Sequence, residues 1–135
     1  MNVHHVGYLV KNIDKAKDTF LKLGYTAETE TVYDPIRKID ICFLIKDGYR
    51  VELVSPAAED SVVSGLVKKL GNTPYHICYS TDDFDGEVAR LRAAGFMQID
   101  KPTPAPAIGG HRVSFFLNMA IGMIELLDTK GDIAQ

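Results

Sequence analysis

The pattern of apolar and polar positions along the chain repeats itself. Residues 5–25 read HVGYLVKNIDKAKDTFLKLGY and residues 76–96 read HICYSTDDFDGEVARLRAAGF, and the two stretches align without a gap at an offset of 71 residues. In each stretch a short apolar run predicts a strand and is followed by a polar break. Apolar residues then recur at the three- and four-residue spacing of an amphipathic helix. Each stretch therefore predicts a strand that is followed by a helix.

The residues that flank the two predicted helices support this interpretation. Asn12 and Asp83 stand where an N-cap side chain accepts a hydrogen bond from the first helical turn. Gly24 and Gly95 stand where a helix commonly ends in a left-handed residue. Both helices therefore have a predicted start and a predicted end.

The repeat continues beyond the helices into three further predicted strands per copy, of which the first is the weakest. These strands fall at residues 26–33, 39–45 and 49–54 in the first copy and at residues 97–101, 112–118 and 122–127 in the second. Two βαβββ modules in tandem predict an α+β fold. We expect curved antiparallel or mixed sheets that pack about a pseudo-twofold axis around a cleft.

The segments between and after the modules have their own patterns. We expect a first module at residues 1–55, a linker helix at 56–72, a second module at 73–130 and a tail at 131–135, within one compact domain. Gly71 is the predicted end of the linker helix. The run PTPAPAIGG at residues 102–110 is rich in proline and glycine, which predicts an irregular loop that could fold over a site.

Composition and charge narrow the class of protein. Hydrophobic residues make up 46% of the chain, charged residues 24%, and the net charge is −3 without a basic run. This balance is typical of an ordinary soluble protein and gives no support to nucleic-acid or membrane partners. The cysteines favour a cytoplasmic location. Cys42 and Cys78 lie in apolar strand-like runs without a CxxC spacing, which predicts buried thiols rather than a disulfide.

Four residues with metal-binding chemistry occupy equivalent positions of the two copies: His5, Glu52, His76 and Glu125. A glutamate among apolar strand residues is costly to bury unless it faces water, pairs with a cation or binds a metal. Taken singly, each of the four is more often structural. The symmetry of the set favours a site for one divalent ion, such as Zn, Co, Ni, Fe or Mn.

Other histidines compete with this set. His4 is predicted by strand alternation to face away from His5, and its equivalent in the second copy is Tyr75, which is not a typical ligand. His111 stands at the exit of the predicted loop. It is either solvated or a substrate contact.

At these residues the chain resembles a known family. The segments HVGYLVKNIDKAKDTF, VELVSPAAEDSVV, YHICYSTDDFD and RVSFFLNMAIGMIELL resemble the vicinal-oxygen-chelate superfamily, which comprises glyoxalases, bleomycin resistance proteins and dioxygenases. Among its members the chain is most similar to methylmalonyl-CoA epimerases. The resemblance implies the glyoxalase fold, a homodimer and a divalent metal held by His5, Glu52, His76 and Glu125.

The resemblance also implies a type of chemistry. Two neighbouring oxygens of the substrate would chelate the metal, which would stabilise an enolate formed when a proton is removed beside a carbonyl. Glu125 is the first candidate for the general base and Glu52 the second. The expected substrate is a small anionic carbonyl compound or an acyl thioester.

One segment departs from the epimerase pattern. The sequence DPIRKI at residues 34–39 has Ile36, Arg37 and Lys38 where an acidic residue is expected, so the base is lost or has moved to Asp34 or Asp40. Arg37 and Lys38 are either a solvated strand edge or a grip for an anionic part of the substrate.

The leading hypothesis is thus a metal-dependent isomerase or epimerase, and two alternatives stay open. A lactoylglutathione lyase uses the same ligand types, although the helix DKAKDTFLKLGY lacks the Arg and Phe-Tyr pair typical of those enzymes. A non-catalytic binding or resistance protein of the same superfamily would typically have lost the metal ligands. Extradiol dioxygenases and fosfomycin-type transferases are disfavoured, because their sites use three protein ligands.

Overall fold

The computed structural model describes residues 1–131, which form two compact units. One unit is His5–Tyr75, and the other combines Met1–His4 with the residues from His76 onward. Of the predicted tail at 131–135, all residues after Gly131 lie outside the described part of the chain. The predicted module boundaries remain a proposal.

The unit of residues 5–75 is a mixed sheet with a helix packed on one face. Its strand β1 runs parallel to β5, with Gly7 opposite Glu52, while β4 is antiparallel to β5 and to both β2 and β3. The elements are β1 (Asn2–Leu9), α1 (Ile13–Lys22), β2 (Thr26–Ala27), β3 (Val32–Asp34), β4 (Ile39–Lys46), β5 (Tyr49–Pro56) and α2 (Ser64–Leu70).

The second unit has the same plan. Strand β6 runs parallel to β10, with Cys78 opposite Glu125, and β9 is antiparallel to β10 and to both β7 and β8. The elements are β6 (Thr73–Thr81), α3 (Phe84–Ala93), β7 (Met97–Gln98), β8 (Thr103–Pro104), a 3₁₀ turn (Pro106–Ile108), β9 (Arg112–Asn118) and β10 (Gly122–Asp128). The α+β prediction with two βαβββ modules is confirmed.

Both predicted helices begin and end as their flanking residues indicate. The Asn12 carboxamide oxygen accepts from the Lys15 N–H at 3.0 Å, and the Asp83 carboxylate accepts from the Gly86 N–H at 3.3 Å. Gly24 follows α1 with a φ of +98°, where a β-carbon would lie 2.9 Å from the Lys46 ammonium nitrogen. The helix end and the end of β4 are therefore in close contact.

One face of each sheet is covered by its helix, and the other face carries the candidate site. In the unit of residues 5–75 the helix-side core is Val10, Ile13, Cys42, Leu44, Val51 and Leu53. In the second unit it is Phe84, Leu91, Phe116, Ile124 and Leu126. Because successive strand residues point to opposite faces, His5, Glu52, His76 and Glu125 lie on the faces away from the helices.

The second strand of each module is shorter than predicted. Pairing was expected over residues 26–33 and 97–101. In the first module it is interrupted, because β2 contains two residues and pairing resumes at Val32 in β3, and in the second module β7 contains two residues. Each strand ends because a side chain replaces the backbone as hydrogen-bond acceptor. The Phe43 N–H donates to the Thr29 hydroxyl at 3.0 Å, and the Phe115 N–H donates to the Asp100 carboxylate at 2.8 Å.

The expectation of an irregular loop over residues 102–110 was wrong in part. Thr103 and Pro104 pair with Val113 and Arg112 as strand β8, and a 3₁₀ turn begins at Pro106. Proline is tolerated at a sheet edge, where its missing N–H need not serve the ladder, and at the first position of a helical turn. The proline content therefore did not exclude regular structure here.

No helix in residues 1–131 is both long and apolar enough to cross a membrane.

Cys42 and Cys78 are buried free thiols, and burial raises the pKa of the Cys42 thiol above its ordinary value. Both observations on the cysteines agree with the predicted buried thiols.

Arg112 joins three elements of the second unit. Its guanidinium lies 4.3 Å from the centroid of the Phe84 ring, 2.9 Å from Asp128 and 3.3 Å from Asp85. Burial alone would raise the pKa of Asp128, but the hydrogen bonds from Arg112 and from the Lys130 N–H hold that pKa below its ordinary value.

We predict that Asp128→Asn lowers the free energy of unfolding at pH 7 by about 0.5–1 kcal/mol, allowing for solvent screening of the half-exposed Arg112. The pKa of Asp128 is lower in the folded state, so its contribution is present above the unfolded value of about 3.9 and disappears as the pH falls through the folded value. Urea unfolding of both proteins at pH 7 and at about pH 2.5 measures this, with Asp18→Asn as a surface control. An equal difference at both pH values would contradict the prediction.

Candidate metal centre

His5 and Glu52 form a buried pair in the unit of residues 5–75. His5 lies on β1 two residues before Gly7, which is opposite Glu52 on β5, so both side chains project from the same sheet face. The His5 Nε2 atom lies 3.4 Å from the Glu52 Oε1 atom. The two residues are 1% and 5% exposed.

His76 and Glu125 form the equivalent pair in the second unit. His76 lies on β6 two residues before Cys78, which is opposite Glu125 on β10. The His76 Nε2 atom lies 3.2 Å from the Glu125 Oε1 atom, and both residues are 4% exposed. The structure therefore builds the same imidazole–carboxylate contact twice, through the same ring nitrogen and at matching strand positions.

The four side chains have the chemistry of metal ligands. Imidazole nitrogens and carboxylate oxygens are the ligand types that borderline divalent ions take in proteins, and each unit supplies one of each from a buried pair. Burial deprives each carboxylate of water, and a cation would compensate for that loss. The residues present therefore fit a divalent metal.

A family model described as the Glyoxalase/Bleomycin resistance protein/Dioxygenase superfamily matches residues 4–115. The chain belongs to this superfamily. The match covers more than four fifths of the chain and begins just before the first of the predicted ligands, His5.

Curated relatives within the superfamily include epimerases. The chain is 26% identical over 110 residues to the mitochondrial methylmalonyl-CoA epimerase of Dictyostelium discoideum, a match that covers 81% of this chain and 64% of that protein. It therefore spans less than two thirds of that relative. It is 28% identical over 112 residues to the ethylmalonyl-CoA/methylmalonyl-CoA epimerase of Cereibacter sphaeroides, with 81% of each chain covered.

A solved structure shows the same fold. A variant of the Streptomyces coelicolor methylmalonyl-CoA epimerase in complex with 2-nitronate-propionyl-CoA superposes with a TM-score of 0.84. The two chains are 20% identical, and the match covers 100% of this chain and 98% of that one. This likeness confirms the predicted glyoxalase fold.

Arg37 and Lys38, the two predicted anion-binding residues, each contact a carboxylate of the chain itself. The Arg37 guanidinium donates to the Asp34 carboxylate at 2.8 Å, where the Arg37 side chain is 12% exposed and the Asp34 side chain 1%. Lys38 forms an ion pair with Asp60 on the surface, which raises the pKa of Lys38 and lowers that of Asp60. The proposed role of the two cations in substrate binding remains a prediction.

The two alternative positions for the missing acid differ in their placement. Asp34 is opposite Ile39, so it shares the sheet face of Glu52, but its carboxylate already accepts from the N–H groups of Ile36 and Arg37. Asp40 lies three residues before Phe43, which is opposite Glu52, and therefore projects from the other face. Neither placement favours a proton acceptor next to the His5–Glu52 pair.

The loop after β8 lies on the same sheet face as His76 and Glu125. Its Ala105 and Ile108 pack against Cys78, Val113 and Leu127, which share that face. His111 closes the loop, because its carbonyl accepts from the Ala105 N–H at 2.9 Å. His4 is half-buried, and one of its ring nitrogens lies within 4.8 Å of a ring nitrogen of His5, so the predicted separation of the two histidines is not supported.

Sequence reasoning missed two aromatic neighbours of the histidines. The ring centroids of His5 and Phe43 are 5.3 Å apart and those of His76 and Phe115 are 5.2 Å apart, both in edge-to-face contact. The repeat gave only a partial signal, because aligning residues 39–45 with 112–118 matches Phe43 with Phe116, whereas the strand register places Phe115 opposite Glu125.

We predict that Arg37→Ala lowers the free energy of unfolding by about 2 kcal/mol, because it removes the charged partner of a buried carboxylate. Lys38→Ala is the matched control, and it should leave stability unchanged because its ion pair is exposed. Urea unfolding measures both variants. Unchanged stability together with a raised Michaelis constant for an anionic substrate would instead support the anion grip.

Proposed function

We propose that this protein is an epimerase or isomerase that removes and returns a proton beside a carbonyl, through an enolate, on a small acyl thioester or anionic carbonyl compound. The proposal is supported chiefly by the two equivalent, buried His–Glu pairs, His5–Glu52 and His76–Glu125. Packing alone does not require the same two polar residue types at both repeat positions.

We further propose that these four residues hold one divalent ion. When bound, the ion would supply a Lewis acid for the oxygen that gains negative charge as the proton leaves. The protein would fix the ligand geometry and keep water away, since all four ligand residues are almost fully buried.

The proton would be handled by a carboxylate. Glu125 is the first candidate and Glu52 the second, because Asp34 is held by Arg37 and Asp40 projects from the opposite face.

The substrate class rests on likeness to other proteins. The curated relatives are named for methylmalonyl-CoA and ethylmalonyl-CoA, and the Streptomyces coelicolor structure holds 2-nitronate-propionyl-CoA. Acyl-CoA thioesters with an acidic proton next to the carbonyl are therefore the first compounds to test, with homodimer formation as an accompanying expectation. Arg37 and Lys38, where epimerases are expected to carry an acid, make methylmalonyl-CoA itself one candidate among several.

We predict that the protein purified without chelator binds one divalent ion per chain and that His76→Ala and Glu125→Ala each weaken binding by at least about 100-fold, because each removes one of four ligands. Metal analysis and titration calorimetry measure this. His111→Ala and Glu59→Ala are matched controls of the same residue types, and both should bind the ion normally. If the unmodified protein binds no divalent ion at micromolar concentration, a non-catalytic binding protein becomes the better interpretation.

We predict that the metal-loaded protein exchanges the proton next to the carbonyl of a 2-substituted malonyl-CoA thioester for solvent deuterium, and that Glu125→Gln slows this exchange by about 100-fold or more. NMR in deuterated buffer follows the exchange. The hemithioacetal of glutathione and methylglyoxal is the second substrate arm. Exchange or isomerisation confined to that compound would favour a lactoylglutathione lyase instead.

A further inference from the structure

Each candidate histidine is packed against one phenylalanine of the neighbouring antiparallel pair. Phe43 lies on β4 directly opposite Glu52, and its ring meets the His5 ring at an interplanar angle of 74°. Phe115 lies on β9 directly opposite Glu125, and its ring meets the His76 ring at 88°. In each unit the phenylalanine that contacts the histidine is thus the cross-strand partner of the glutamate.

The backbone of each phenylalanine is fixed in the same way. The Phe43 carbonyl accepts from the Glu28 N–H at 2.9 Å, and its N–H donates to the Thr29 hydroxyl at 3.0 Å. The Phe115 carbonyl accepts from the Ile99 N–H at 3.0 Å, and its N–H donates to the Asp100 carboxylate at 2.8 Å. A regular sheet would satisfy these N–H groups with backbone carbonyls, so the same departure occurs at the same place in both copies.

The two anchors differ in residue type and agree in function. Thr29 offers a hydroxyl, whereas Asp100 offers a carboxylate that also accepts from the Ser114 hydroxyl at 2.8 Å. Both replace backbone pairing at the end of the short second strand and hold a phenylalanine opposite a glutamate. Two different side chains thus accept the same hydrogen bond from a phenylalanine N–H. This equivalence indicates that the position of the phenylalanine ring is the feature that both copies share.

We propose that Phe43 and Phe115 are positioning residues that hold the His5 and His76 rings with Nε2 directed at Glu52 and Glu125, and that Thr29 and Asp100 fix these phenylalanines in place. The torsion that rotates an imidazole about its bond to Cβ has a broad energy profile. An aromatic ring in edge-to-face contact with the imidazole restricts this torsion to a smaller range of angles. The role in ion binding rests on the proposed function, whereas the orientation of the rings does not.

The test replaces each phenylalanine by leucine, which keeps apolar bulk and removes the flat ring. Phe43→Leu and Phe115→Leu should each weaken Co²⁺ binding by roughly 3- to 10-fold, the range that corresponds to the energy of one aromatic pair. The visible absorption spectrum of bound Co²⁺ should also change, because it reports the ligand geometry. The matched controls are Phe20→Leu, which removes a ring packed on Tyr8 and Tyr25, and Phe116→Leu, whose ring lies on the helix side of β9. Both controls should leave Co²⁺ affinity and spectrum unchanged.

Two further variants separate position from bulk. Phe115→Tyr keeps the ring at a half-buried position and should bind Co²⁺ like the unmodified protein. Thr29→Val keeps the shape of the anchor and removes its oxygen acceptor, so it should reproduce part of the effect of Phe43→Leu. Equal losses in Phe115→Tyr and Phe115→Leu would show that the ring does not position His76.

A readout without metal decides the inference independently of ion binding. In the metal-free protein, nitrogen-15 NMR of the histidine rings should show one dominant Nε2 environment for His5 and for His76, and this environment should become averaged in the corresponding leucine variant only. Unchanged ring signals in both leucine variants would overturn the proposal. A protein that binds no divalent ion but shows the expected ring averaging would reject the proposed function and keep the positioning role.

Discussion

The constraint on which the rest of the structure depends is the burial of a carboxylate beside an imidazole on the sheet face away from the helix. An isolated buried carboxylate is costly, and the period of two along a strand determines which face must accommodate it. Apolar residues at alternate positions, such as Leu53 beside Glu52 and Leu126 beside Glu125, commit the other face to the helix. In each unit one sheet face therefore packs on the helix, and the other carries a candidate His–Glu pair.

Much of this arrangement could be predicted from the sequence because it is encoded locally. Helix capping acts within a few residues, at the N-caps Asn12 and Asp83 and at the glycine after each helix. Strand alternation along β5 and β10 determines which sheet face carries each glutamate. The pairing of His5 with Glu52 needed contact across the sheet, and the internal repeat supplied that information. In the second copy, His76 and Glu125 occupy the positions equivalent to His5 and Glu52.

The features that escaped prediction depend on side-chain oxygens that take the place of backbone carbonyls as hydrogen-bond acceptors. Thr29 and Asp100 end their strands by accepting hydrogen bonds from the N–H groups of Phe43 and Phe115. Strand propensities of single residues do not predict such contacts. The two phenylalanines themselves looked like ordinary core residues in apolar runs. The ion pair of Arg37 with Asp34 also escaped prediction: the sequence leaves Arg37 as either a solvated strand edge or an anion grip, and it does not show that Asp34, at the end of β3, is buried.

The contact between Gly24 and Lys46 limits how this part of the chain can change. A side chain at residue 24 would need a left-handed backbone and would also displace the Lys46 ammonium group, which lies where a β-carbon would point. Positive charge at the carboxyl end of a helix complements its dipole, so the glycine leaves room for a counter-charge as well as for a turn. The Lys46 side chain is flexible and can move aside, so the left-handed backbone at residue 24, with a φ of +98°, is what makes a substitution there costly.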